Sequence, residues 1–446
     1  MNAAATRQAT TQAELPPPAP QEGLKRSLLI TTIATQLVAA TIFLSYRVVA
    51  ENFSDVGFFE YSLARRATGP VCLLAMLGVP TSLTREVARR RAVHELDEIR
   101  RVLFSAAVPV LGIGLFTVAI AATVPDVVAT LLFGDAKLAH LALPTTLYAF
   151  GMALTYLWIA FWKGQEKFEI VGALSLGLTG LVPLACLFLP GADMALVFSA
   201  AGGLLSLTAL IGIARTLRGG RGTLLQLWSG PQAAAHLRFG LSRLPGSIGF
   251  SILLLMPGWW ATRGGDLSGG GAAAFAVTML NLVSTALSPV SVVMLPRAAS
   301  LTRTGKGADM RSLLWLQIGG IIVGGFIASV IAFEFAALAV RWWLGMESTA
   351  IETALAYTAV GIVPFALFLA LQGSLDGLSR IPVSSVNVVA ALIVVAVVLQ
   401  TGSAAPEVLA LQALVIGLAV LAVGTVGAAL WLVREAAPTA TAEATR

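Results

Sequence analysis

Long apolar runs recur along the whole of this 446-residue chain and limit its possible folds more than any other feature. A helix of about 20 apolar residues crosses a hydrocarbon core of roughly 30 Å. Charged residues make up only 12% of the chain, whereas a soluble domain carries roughly a quarter. We therefore predict an all-α polytopic membrane protein of about twelve transmembrane helices. The predicted spans are 27–48, 57–83, 101–124, 138–162, 168–189, 194–214, 238–261, 270–296, 311–333, 350–373, 382–400 and 406–433.

The basic residues between these spans indicate how the chain is oriented. Most of the 29 Lys and Arg residues fall on the side of the membrane that holds the N-terminus, and short cytoplasmic segments carry such an excess. Both termini are therefore predicted to be cytoplasmic. The net charge of +6 is then a topology signal, and nucleic acid is not expected as a partner. Residues 1–24 and 435–446 have almost no apolar bulk and are predicted to be disordered tails.

A shift of 213 residues lays the second half of the chain over the first. Lys25, just before the first span, then meets Arg238, just before the seventh, and the span positions keep step. We interpret this register as an internal duplication. Six helices in each half enter the membrane from the same side, so the halves should be parallel repeats with a cavity between them. The predicted parts are a six-helix lobe at 25–214, a cytoplasmic linker at 215–237 and a second six-helix lobe at 238–434.

A long outer loop in each predicted lobe also supports the duplication. Both loops contain a bulky amphipathic run that ends in glycine, VVATLLFGD (Val127–Asp135) and ALAVRWWLGM (Ala337–Met346). Two facing bundles of this kind have the geometry of alternating access, in which one bundle rocks against the other.

Two arginines, Arg65 and Arg66, lie inside the second predicted span. A guanidinium in hydrocarbon costs from about 2.5 kcal/mol to well above that, so an intramembrane arginine normally faces a cavity or a partner. Successive helical residues point about 100° apart, so one of the pair is expected to face the cavity and the other to pack elsewhere. Arg243 lies in the seventh span, toward the cytoplasmic mouth, and Arg47 and Arg263 lie near the outer mouth.

A cavity bordered by these arginines would be positive, because acidic residues are scarce within the spans. Its ligand should be an anion, and planar guanidinium groups hold phosphate oxygens bidentately. The alternative is that the arginines only reach the interface or bond backbone carbonyls, and it applies most to Arg47 and Arg263. Asp376 and Glu334, near span ends, are the candidates for ion coupling. The candidate anion-binding residues are Arg65, Arg66, Arg243, Arg47 and Arg263.

Motifs for catalysis and nucleotide binding are missing. The patterns HExxH, GxSxG, GxxxxGK(S/T) and DxD do not occur. Cys72 and Cys186 lie singly inside spans, which indicates neither a disulfide framework nor a metal site. We expect a protein that is not an enzyme and that needs no cofactor or metal.

The order of features in the first half resembles the polysaccharide-transporter branch of the MOP flippase superfamily. An apolar helix that ends near Arg47, a short loop, a second helix and then LGVPTSLTREVAR (Leu77–Arg89) follow one another as in that family. The stretch VVMLPRAASL (Val292–Leu301) resembles one of its second-half features. The resemblance extends over about residues 25–434.

This resemblance implies an O-antigen-type flippase, which moves an undecaprenyl-diphosphate-linked oligosaccharide between leaflets of the bacterial cytoplasmic (inner) membrane. It also implies a cationic cavity in which Arg47 and the second-span arginines match positions that contact the diphosphate. The expected partners are the lipid-linked glycan and the bilayer, with a glycan polymerase and other envelope-assembly proteins as further candidates. The sequence departs from the family where Val49 and Ala50 replace Leu-Gly, and where Thr278 and Met279 occupy a basic position.

Two other functions stay open at the level of the sequence. A cation-coupled multidrug exporter of the same superfamily should carry carboxylates deep in its N-terminal lobe, where we find none. A non-transporting scaffold for cell-envelope assembly should tolerate the replacement of Arg65 and Arg66.

Overall fold

The computed structural model describes residues 21–92, 96–218, 227–286, 307–378 and 383–436, and all regular elements in these ranges are helical. The helices are α1 (Gln21–Asn52), α2 (Asp55–Met76), α3 (Val79–Ala92), α4 (Leu96–Thr123), α5 (Pro125–Phe133), α6 (Ala139–Gly164), α7 (Phe168–Cys186), α8 (Met194–Arg218), α9 (Gly230–Arg263), α10 (Leu267–Ala286), α11 (Gly307–Glu334), α12 (Thr349–Val360), α13 (Ile362–Leu378), α14 (Val383–Thr401) and α15 (Pro406–Ala436). Two segments, Ser175–Leu181 inside α7 and Ala339–Leu344 before α12, are π-helical.

The described helices confirm the prediction of an all-α multi-pass membrane protein. Ten of them are long and apolar enough to cross a membrane, and two bent pairs raise the number of spans to 12. The bent pairs are α2 with α3 and α12 with α13, and each bends by 51°.

Both bends lie inside single predicted spans, 57–83 and 350–373, and both have a local cause. Leu77 and Gly78 have left-handed φ angles of 44° and 69°, which ends α2. Gly361 separates α12 from α13. Pro364, three residues later, has no N–H to bond the carbonyl four residues before it, so the helix cannot continue straight.

Several helices extend past the predicted domain boundaries. α1 begins inside the predicted tail 1–24, α15 ends inside the predicted tail 435–446, and α8 and α9 both enter the predicted linker 215–237. Arginine, glutamine, lysine and glutamate are good helix formers, so a helix can continue beyond its apolar run. The remaining parts of these predictions, 1–20, 219–226 and 437–446, lie outside the described residues, as do 287–296 of the eighth span and the stretch 292–301.

The two bulky outer-loop runs form matching structures in the two lobes. α5 ends on Gly134 with a φ angle of 87°, and the π-helical segment Ala339–Leu344 ends on Gly345 with a φ angle of 68°. Glycine takes this left-handed conformation without steric cost. The glycine that ends each run therefore has the same structural role in both lobes, as the predicted duplication requires.

The lobes pack closely at one end of the bundle and separate toward the other. At the far end, a buried apolar cluster contains Tyr46 and Phe58 of the N-terminal lobe together with Phe275 and Leu344 of the C-terminal lobe. Toward the basic end, the buried clusters each belong to one lobe. We define the far end by Arg47, Lys137 and Arg263, and the basic end by Arg85, Arg91, Lys163 and Arg215.

The lobes are also in contact at the basic end. The first turns of α9 lie against α3, where the Ser82 hydroxyl and the His236 ring share a buried hydrogen bond. A few residues further on, Gly240 lies against the backbone of Leu77 and Gly78.

Candidate functional site

A cavity of about 270 Å³ lies halfway along α2, where α1, α2 and α6 of the N-terminal lobe face α10 of the other lobe. Arg65 and Arg66 both line it, although the sequence predicted only one of them there. Consecutive side chains of a helix point about 100° apart. Both arginines line the cavity because it extends around α2 from the side that faces α6 to the side that faces α10. Other lining residues are Ile42, Met76, Tyr148, Tyr156, Thr278 and Asn281.

Tyrosine hydroxyls orient the Arg65 side chain. Its Nη1 atom donates a hydrogen bond of 3.4 Å to the hydroxyl oxygen of Tyr61, and its Cζ atom lies 6.0 Å from the centroid of that ring. Tyr148 presents a second phenol close to the same guanidinium. Neutral phenols position a guanidinium without cancelling its charge, so the charge stays available to a ligand in the cavity.

Arg66 is held less firmly than its neighbour. Its side chain is half-buried, and its Nε atom is buried without a hydrogen-bond partner among the described residues. A buried polar atom that lacks a partner destabilises the fold by about 1–3 kcal/mol, and by more when it is charged. Such an arrangement fits a site that an anion occupies for part of the time.

An aromatic cluster closes this cavity toward the far end. The ring of Tyr46 lies 4.9 Å from that of Phe275 and 5.1 Å from that of Tyr61, measured between centroids, and Phe58 completes the cluster. The Tyr46 hydroxyl forms a hydrogen bond of 3.3 Å with the Thr278 hydroxyl of the other lobe. Both lobes therefore contribute to the barrier between the cavity and the far end.

Two larger cavities continue from the first toward the basic end. One of about 600 Å³ is lined by Arg85 and Lys163, and one of about 790 Å³ is lined by Arg243. Met76 lines all three cavities, so they meet at the end of α2. No aspartate or glutamate is found among the described residues that line them. The lining basic residues are Arg65, Arg66, Arg85, Lys163 and Arg243.

The structure separates the other predicted arginines from the cavity of Arg65 and Arg66. Arg243 is exposed in the 790 Å³ cavity, with its Cζ atom 4.9 Å from the centroid of the Phe239 ring. Arg47 and Arg263 line none of these three cavities; both lie at the far end, near tryptophan rings. Their assignment to anion binding remains a prediction.

Of the two candidates for ion coupling, the structure describes the side chain of Glu334 alone, and it lines none of the three cavities. Glu334 is exposed at the end of α11. Asp376 lies in α13, among the residues whose side chains the structure leaves undescribed. Glu60 in α2, which was not predicted as a site residue, is largely buried. Its Oε1 atom lies 3.0 Å from the Nε2 atom of His140. Within the described part of the chain, no group of three His, Cys, Asp or Glu side chains could hold a metal ion.

Several residues of the site were not predicted from the sequence. Tyr46, Tyr148 and Tyr156 surround the arginines, and the sequence offers a signal for them, because the chain contains only 5 tyrosines. The sequence indicates Arg85 and Lys163 only as orientation signals in cytoplasmic loops, whereas in the structure both line a cavity. The spacing of Arg85 and Lys163 along the chain does not predict that they share a cavity. The bend between α2 and α3 brings α3 next to the end of α6.

Comparison with known proteins identifies the fold. No protein-family model and no curated protein matches the sequence. The chain is similar in structure to a multidrug resistance MATE family transporter of the MOP superfamily in its inward-facing conformation, with a TM-score of 0.76, 13% identity and coverage of 93% of this chain and 99% of that one. A MOP superfamily transporter from Pyrococcus furiosus matches with a TM-score of 0.65, 16% identity and coverage of 92% and 96%. At this identity the likeness establishes the fold.

The comparisons also bear on the conformation of the lobes. An outward-facing MATE family transporter of the MOP superfamily matches with a TM-score of 0.65, 16% identity and coverage of 93% and 97%. That score is lower than the 0.76 for the inward-facing one. The difference agrees with lobes that are packed at the far end and separated at the basic end.

Proposed function

We propose that this protein is a flippase that moves a polyprenyl-diphosphate-linked oligosaccharide across the bacterial cytoplasmic membrane by alternating access. The observation that carries the proposal is the charge of the three cavities that meet at Met76. Five basic side chains line them, and no carboxylate does among the described lining residues. Because a positive cavity within the membrane favours an anion, and guanidinium groups match phosphate oxygens, a diphosphate headgroup is the expected ligand.

The direction of transport follows from the orientation of the chain. Short basic segments mark the cytoplasmic side, so the basic end faces the cytoplasm and its cavities admit a headgroup from there. The lipid tail stays in the bilayer while the headgroup moves between the lobes. Envelope-assembly proteins such as a glycan polymerase would then receive the product on the other side.

A cation-coupled multidrug exporter is the second candidate, because the MATE transporters above share this fold. An exporter of cations needs carboxylates in its binding cavity. Glu60, a largely buried carboxylate of α2, pairs with His140 and lines none of the three cavities. For the Pyrococcus furiosus transporter, a reverse polarity of the binding pocket has been taken to suggest a different function. The basic cavities of this chain support an anionic substrate.

The proposal is tested by reconstituting the full chain in liposomes with a fluorescent polyprenyl-diphosphate-linked sugar. Movement of the probe between leaflets is followed by quenching from outside. The double replacement of Arg65 and Arg66 by alanine is expected to abolish the movement that the protein catalyses. Replacing Arg89 by alanine is the matched control, because its side chain is 72% exposed and pairs only with Glu86 among described residues.

Three outcomes of this assay would count against the proposal. Full activity of the double variant would mean that Arg65 and Arg66 do not bind the substrate. Transport of a cationic dye without movement of the lipid probe would favour the multidrug exporter. Loss of that dye transport on Glu60→Gln, with Arg65 and Arg66 dispensable, would identify the carboxylate of a cation-coupled exporter.

A further inference from the structure

The 790 Å³ cavity contains polar groups that the binding of a diphosphate leaves unused. Its walls come from α2 and α3 on one side and from α9, α13 and α14 on the other. Its volume falls within the range of about 300–1,000 Å³ that small-molecule sites occupy. It joins the cavity of Arg65 and Arg66, because Leu73 and Met76 line both.

Besides Arg243, and Ser242 whose hydroxyl donates to the Phe239 carbonyl, four uncharged hydrogen-bonding side chains of the C-terminal lobe line this cavity: those of Ser247, Gln372, Ser384 and Ser385. None of the four forms a hydrogen bond with another described residue. Polar side chains inside membrane spans are costly unless they face a cavity or a partner, and they mark substrate pathways. Serine hydroxyls and the glutamine amide together supply both donors and acceptors.

Aromatic rings form the apolar part of the same wall. Phe250 and Phe368 lie 5.0 Å apart between centroids, and Phe239 lies nearer the mouth beside Arg243. A sugar ring has apolar C–H faces that pack on aromatic rings, and hydroxyl groups at its edges that need hydrogen bonds. The combination of neutral hydroxyl and amide groups with phenylalanine rings therefore matches a saccharide better than it matches a second anionic group.

We infer that this cavity is the saccharide subsite of the transporter and that Gln372, Ser384 and Ser385 select a glycosylated headgroup over a bare diphosphate. The inference rests on the proposed function, because it places the diphosphate at Arg65 and Arg66 and the first sugars beside Leu73 and Met76. The saccharide then lies toward the basic end, from which it enters. In this arrangement the sugar contacts the C-terminal lobe, and the diphosphate contacts Arg65 and Arg66 of the N-terminal lobe.

The test measures binding to the full-length protein in lipid nanodiscs with two probes that have the same tail. One probe is a polyprenyl diphosphate, and the other is the same lipid with N-acetylglucosamine on the diphosphate. The wild type is expected to bind the glycosylated probe about tenfold more tightly, the size expected for one or two additional hydrogen bonds. In the triple variant Gln372→Ala, Ser384→Ala and Ser385→Ala, the ratio of the two affinities should fall to about one.

The bare probe should bind the triple variant as it binds the wild type, since the arginines remain. Ser206→Ala is the matched control, because Ser206 lies in α8 and lines none of the three cavities. A wild type that binds both probes equally, or a triple variant that keeps the wild-type ratio, overturns the subsite and leaves the flippase proposal standing. A wild type that binds neither probe overturns both. Equal weakening of both probes in the triple variant indicates a structural role and also overturns the subsite.

Discussion

The guanidinium of Arg47, at the end of α1, donates a hydrogen bond to the backbone carbonyl oxygen of Trp343 in the opposite lobe. A matching contact runs in the other direction, since Nε1 of Trp259 in α9 donates to the carbonyl of Thr130 in α5 at 2.9 Å. Each lobe therefore uses the bulky helix of its outer loop to hold the first span of the other lobe. These two contacts, with the aromatic cluster around Tyr46, close the far end.

This reciprocal arrangement predicts that Trp259→Phe and Arg47→Ala shift the lobes toward opening at the far end. Phenylalanine keeps the aromatic surface of Trp259 but lacks the N–H donor, so the change removes a hydrogen bond worth about 0.5–1.5 kcal/mol. Spin labels on α5 and α9 at the far end should show a larger population of long distances in both variants. Trp260→Phe is the matched control, because Trp260 forms no hydrogen bond through Nε1 with a described residue. Unchanged distances would mean that the contacts do not limit opening.

Arg66 is predicted to be needed for transport and unfavourable for stability. Its Nε atom is buried without a partner in the described residues, so removing the side chain relieves an unfavourable burial while deleting a ligand for the anion. Arg66→Ala should therefore keep or raise the thermal unfolding temperature and lower the flipping rate at least about tenfold. A fluorescence-monitored unfolding curve and the liposome assay measure the two quantities on the same preparation.

The contrast with Arg65 provides a control for this prediction. Tyr61 and Tyr148 orient the Arg65 guanidinium, so Tyr148→Phe should lower the flipping rate less than Arg66→Ala and leave the unfolding temperature nearly unchanged. If the Arg66→Ala variant transports at the wild-type rate, Arg66 does not bind the substrate and contributes only to packing.

The spans and the duplication could be predicted from the sequence because they depend on local properties. Apolar length sets the number of membrane crossings, and the register of 213 residues fixes which elements correspond. The two outer-loop helices were also predictable from local sequence, because each is a bulky run followed by a glycine. Gly134 and Gly345 adopt the left-handed conformation that ends each run.

The composition of the site could be predicted only in part, because it depends on which helix faces meet. Helical spacing places Arg65 and Arg66 on neighbouring faces of α2, but whether both reach one cavity depends on how α6 and α10 pack around it. For Arg47 the sequence allows a bond to a backbone carbonyl as the alternative to anion binding, but it does not identify that carbonyl as the one of Trp343 in the other lobe. Contacts between residues this far apart in sequence are set by the packing of the lobes.

Gly240 is predicted to be intolerant of any side chain. A methyl group there would overlap the carbonyl oxygen of Leu77, at the bend between α2 and α3. Because both partners are backbone, relief requires a shift of α9, and overpacking of this kind costs about 1–3 kcal/mol. Gly240→Ala should lower the unfolding temperature and the flipping rate together. Gly203→Ala is the control, since a methyl group there meets nothing within 4 Å; equal stability of the two variants would contradict the close contact.

Transport of a net anion predicts that the flipping rate depends on the membrane potential. Moving one elementary charge across 100 mV changes the free energy by about 2.3 kcal/mol. No described lining residue is a carboxylate that could carry a coupled cation along with the anionic substrate. In liposomes with potassium gradients and valinomycin, a potential negative on the side of the basic end should speed movement of the lipid probe to the other leaflet, and the reverse potential should slow it. The Arg89→Ala variant should respond as the wild type does. A rate that is independent of the potential but depends on a sodium or proton gradient would mean that a coupled cation neutralises the charge of the substrate. Glu334 and Asp376 would then be the first candidates for the cation-binding residues.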